Sequence, residues 1–122
     1  MTTKPLMRMI AVAMLLAAPV ALSAHMKFEK AAPSPDSTTT APVKTIQVWF
    51  SEAPDSKMSK IEVTGPNGPV KTTGLHAMET SLMVMVEGPT PAGAYTVNWQ
   101  SAGDDGHVQK GEFKFKVAAR QP

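Results

Sequence analysis

The chain has 122 residues, with twelve basic and ten acidic side chains, three histidines, nine methionines and no cysteine. That length suits one small domain with one core, and the absence of thiols excludes disulfides and the softest metal ligands. The formal charge of +2 gives no electrostatic case for nucleic acid or an anionic membrane.

Residues 1–24 read as a secretory signal peptide. Lys4 and Arg8 make a positive start, an apolar segment runs from Met9 to Leu22, and small residues close it. The segment is too short and too poorly flanked for a spanning helix. No second apolar run follows, so no membrane anchor is expected. Without a twin-arginine pair the general secretory route applies, and the protein is expected to be exported. Cleavage fits after Ser23 or after Ala24, and the second cut leaves His25 as the first residue. The mature domain, residues 25–122, then balances ten basic against ten acidic residues and keeps Met26, Met58, Met78, Met83 and Met85.

The remaining chain alternates apolar and polar residues between turn signals. "HMKFEK" is a first strand, and "KAAPSPDSTTTAPV" a Pro/Ser/Thr-rich crossing loop. "KTIQVWFSE" places Ile46, Val48 and Phe50 on one face and Gln47 and Trp49 on the other. "KIEVTGPNGPV" sends Ile61 and Val63 inward before a turn, and "VKTTG" is a weak strand. "SLMVMVEG" sets Leu82, Val84 and Val86 against Met83 and Met85, and "EGPTPAG" is another turn. "GAYTVNWQSA" aligns Tyr95, Val97 and Trp99, and "GEFKFKVAA" aligns Phe113, Phe115 and Val117. Seven half-buried antiparallel strands predict an all-β, immunoglobulin-like Greek-key sandwich.

The chemistry gathers on histidine. In "SAGDDGHVQKGEF", Asp105 and His107 are two apart, so on an extended backbone they project to the same side. A free N-terminal His25 would add two donors, its α-amine and its imidazole Nδ1, which close a chelate ring on one metal. Three nitrogens and one oxygen in a tetragonal plane suit Cu(II), whereas Zn(II) prefers a tetrahedron. The opposing reading is a plain turn, because Asp-Gly is common in turns.

The chain resembles the CopC family of periplasmic copper-binding proteins. The likeness rests on the histidine after the signal, the "FSE" closing a strand, "GAYTVNW", and the D-G-H followed by "GEFKF". It implies a seven-stranded β-sandwich that binds Cu(II) through His25 (amine and imidazole), Asp105 and His107. Glu52 of "FSE" is expected to be structural. Some relatives also bind Cu(I) through a methionine-rich loop. Here His76 and Met78 lie on the approach to a strand whose outward face carries Met83 and Met85. Thioether and imidazole donors suit Cu(I), but close M-x-x-M clustering is missing, and methionines also serve as adaptable cover for a sheet.

The expected function is a copper carrier or buffer in copper tolerance, handing the ion to a membrane copper transporter or another periplasmic copper protein. Two other classes compete with it. A copper-dependent oxidative enzyme using a histidine brace would need an open coordination position, which the carboxylate fills. A metal-free interaction module is compatible with the fold alone.

Overall fold

Period-two alternation decides which face of each strand is buried. The computed structural model describes residues 25–119; the signal peptide and both candidate cleavage sites lie outside the described residues. The strands are β1 (Phe28–Ala32), β2 (Thr38–Thr39), β3 (Thr45–Phe50), β4 (Lys60–Gly65), β5 (Gly68–Val70), β6 (Thr72–Met78), β7 (Ser81–Val86), β8 (Gly93–Ala102) and β9 (Val108–Val117). They form a four-stranded sheet in the order β1-β3-β7-β6 and a five-stranded sheet in the order β2-β9-β8-β4-β5. Hairpins β4–β5, β6–β7 and β8–β9 alternate with crossings between the sheets, giving the Greek-key sandwich.

Every apolar face read from the sequence turns inward. Ile46, Val48, Phe50, Ile61, Val63, Leu82 and Val84 are buried, as are Tyr95, Val97, Trp99, Phe113, Phe115 and Val117; Val86 is half-buried against them. Tyr95 stacks on Phe115 at 5.1 Å, and Trp99 meets Phe50 edge-on at 5.1 Å. Trp49 lies on the outward face, where the Lys30 ammonium sits 4.9 Å from its ring centroid.

Two short strands join the seven that were expected. β2 falls inside the Pro/Ser/Thr-rich loop, which crosses from β1 to the other sheet and pairs in parallel with β9. β5 forms the far side of the "GPNGP" turn, with Gly65 opposite Gly68. The weak strand is longer than "VKTTG": β6 runs through His76 to Met78, so the approach to β7 is itself a strand.

The Tyr95 hydroxyl donates to the Pro91 carbonyl four residues upstream at 2.6 Å, a tyrosine-corner arrangement of immunoglobulin-like sandwiches. Tyr95→Phe leaves that carbonyl unpaired, with an expected loss of about 0.5–1.5 kcal/mol. Chemical denaturation at neutral pH measures it; unchanged stability would remove the corner from the account.

Candidate metal centre

One end of the sandwich collects segments from both sheets. β1 starts there, β3 ends there, and β8 turns into β9. The chain ahead of β1 is tied to the residue after β3: the Ser51 amide donates to the Lys27 carbonyl, and the Lys27 amide donates to Ser51 Oγ, both at 2.8 Å. His25 thus emerges at the mouth of the β8–β9 turn.

That turn is not the extended strand end inferred from spacing. Gly106 has φ of 73°, in the left-handed region that glycine enters without penalty. The His107 amide donates to Asp105 Oδ1 at 3.0 Å, an Asx-type closure. Asp105 and His107 still converge, because the turn curls one over the other: His107 Nδ1 lies 3.4 Å from Asp105 Oδ2.

His25 completes the group. Its Nδ1 donates to Asp105 Oδ2 at 2.6 Å and lies 3.4 Å from His107 Nδ1. Among the described residues these three form a group able to hold a metal ion. With separations of 2.6, 3.4 and 3.4 Å, the three donor atoms are close enough to share one ion, which two imidazole nitrogens and a carboxylate oxygen would hold. The His25 and His107 side chains are 50% and 67% exposed, leaving the centre open to solvent. Each of these donors binds an ion only when deprotonated, so metal binding there would be coupled to proton release.

Glu52 acts across the two sheets. Its Oε1 accepts from the Asp104 amide at 3.1 Å. A Cβ at Gly103 would stand 2.5 Å from that oxygen, so a side chain there would displace the carboxylate from its present position. The structural role expected for Glu52 therefore has a definite content: it braces the loop that carries Asp105 and His107. Its sequence signal was the "FSE" motif alone, since the contact spans 52 positions. Asp104 meets Glu52 through its backbone and is not in the metal-binding group.

The Asp105 carboxyl is held below its ordinary value of 3.8, first by the His107 backbone N–H and then by the His25 side chain. A carboxylate with a lowered folded pKa stabilises the fold above its unfolded value, and this increment disappears as pH falls through the folded value. Asp105→Asn should therefore differ from the parent in metal-free stability at neutral pH by an amount that shrinks on acidification below 3.8. Denaturation midpoints across that range check this; a gap independent of pH would contradict it.

His76, Met78, Met83 and Met85 are not part of this group. They occupy the outer face of β6 and β7, where His76 stands directly opposite Met83 and Met78 opposite Ser81. Met78 and Met85 are about half exposed, at 46% and 50%. His76 Nδ1 donates to the Gly74 carbonyl at 2.9 Å, which orients the ring.

Comparison with known proteins follows the same lines. A model of the CopC domain matches residues 28–118. Copper resistance protein C of Escherichia coli is 34% identical over 104 residues, covering 77% of this chain and 82% of that protein. Protein YobA of Escherichia coli (strain K12) is 32% identical over 98 residues, covering 77% and 79%. The crystal structure of PcoC, a methionine rich copper resistance protein from Escherichia coli, superposes with a TM-score of 0.69 at 30% identity, over 77% of this chain and 99% of that one. CopC from Methylosinus trichosporium OB3b gives 0.71 at 22% identity, over 80% and 98%, and supports the fold alone. The chain belongs to the CopC domain family.

Proposed function

We propose that this protein binds copper in the periplasm and acts as a carrier or buffer of Cu(II) in copper resistance and homeostasis. The observation that carries the reading is the 2.6 Å approach of His25 to Asp105, with His107 beside both, in a member of a copper-resistance family. Cleavage after Ala24 turns the His25 amide into an amine. The ion is then gripped by that amine, two imidazoles and one carboxylate. Strong nitrogen donors favour Cu(II) over the other first-row divalent ions. The exposed position suits handover of the ion to a membrane copper transporter or another periplasmic copper protein.

The test is a Cu(II) titration of the chain beginning at His25, against a chelator of known affinity. One ion per chain is expected, held more weakly in acid because every donor must be deprotonated. No binding by this form would overturn the reading in favour of a metal-free interaction module. Copper-dependent oxygen activation would instead revive an oxidative enzyme.

A second reading concerns Cu(I) and rests on the cross-strand pairing of His76 with Met83. With Met78 and Met85 nearby on the outer face, these soft donors suit the monovalent ion. A Cu(I) competition titration on Met83→Leu and Met85→Leu variants tests it. Loss of binding supports the site; no binding by the parent, or no change on substitution, leaves the methionines as sheet cover.

A further inference from the structure

We infer that Met26 is the positioning residue that holds the new N-terminus over the metal centre; this rests on the Cu(II) reading above. Strand pairing begins only at Phe28, opposite Phe50. Ahead of it, the Lys27 backbone is tied to Ser51. His25 and Met26 therefore lie beyond the sheet, in a stretch that would ordinarily fray. Yet Met26 is 1% exposed and belongs to the hydrophobic core cluster, while His25 and Lys27 on either side are exposed.

A buried side chain at the second position of the mature chain fixes the first. With Met26 inserted, the backbone of His25 cannot swing away, and its ring stays beside Asp105. The unbranched thioether side chain suits this task, since it fills irregular gaps at the rim of a core. Without it, the His25 ring relies on surface contacts such as those with Asp105 and His107, and exposed pairs contribute little. The ordering entropy would then be lost at the moment the ion binds. The insertion also sets the register: a slip by one residue would bring His25 or Lys27 into the core.

The experiment compares chains that begin at His25. Met26→Ala should bind Cu(II) about tenfold more weakly, the equivalent of freeing one residue's backbone. Met26→Leu, which conserves volume, should restore the affinity. Val43→Ala, at a buried position flanking the opposite end of β3, controls for general destabilisation and should bind as the parent does. Electron paramagnetic resonance should show one Cu(II) species in the parent and Met26→Leu, and a mixture in Met26→Ala. Equal affinity and a single identical spectrum in Met26→Ala would overturn the inference while leaving the copper reading intact. Equal weakening in Val43→Ala would also overturn it, by reducing Met26 to bulk stability. Absence of Cu(II) binding by the parent would be the separate failure of the copper reading.

Discussion

Replacing His107 with alanine in the mature chain should weaken Cu(II) binding by at least about a hundredfold, the upper end of what loss of a mere outer partner costs. In the proposed site the imidazole supplies one of the three nitrogens; its Nδ1 stands 3.4 Å from both His25 Nδ1 and Asp105 Oδ2. Nothing else in the turn can replace it: Asp104 reaches Glu52 rather than the centre. The side chain is 67% exposed, so the fold should be unaffected within about 0.5 kcal/mol. Competition titration and a denaturation curve on the same sample separate the two effects. Asp104→Asn is the matched control and should bind copper as the parent does. Undiminished affinity in His107→Ala would remove the β8–β9 turn from the site.

Blocking the N-terminal amine should have an effect of similar size. Acetylation of His25 leaves its ring and its 2.6 Å approach to Asp105 in place but converts the amine to an amide. The chelate between amine and Nδ1 is lost, and the remaining imidazoles and carboxylate bind as separate arms. A decrease of about a hundredfold is expected, comparable to deleting His107, because one nitrogen is removed in each case. The acetyl group is a better block than one or two added residues. A chain starting at Ala24 or Ser23 places its amine one or two peptide units before the histidine. Deprotonated amides there can build a different copper chelate that bypasses Asp105. Equal affinity of the acetylated and free forms, measured by the same competition, would show that export does not create a ligand.

The architecture was largely legible because the core strands alternate cleanly. Ile46, Val48 and Phe50, or Phe113, Phe115 and Val117, announce a buried face with period two, and a slip of one residue would expose all three. β6 announced little, since Leu75 is its only residue packed against the core and its register with β7 shifts between Thr73 and His76. β2 and β5, with two and three residues, are too short to show a period; pairing with β9 and β4 defines them. The residues singled out by the D-G-H and the post-signal histidine do come together in space, but by a different geometry. Asp105 and His107 converge through a turn at Gly106, where an extended backbone had been assumed. The brace from Glu52 and the burial of Met26 depend on contacts across the sandwich, which spacing along the chain does not encode.

The most direct measurement places a nitrogen-15 label solely at the backbone nitrogen of His25 in the chain that begins there. Electron–nuclear double resonance on its Cu(II) complex then reads that one atom. A strong hyperfine coupling of the kind given by directly bound nitrogen, absent after acetylation, is the result expected if the freed terminus grips copper. A spectrum carrying imidazole couplings but none from the label would contradict it.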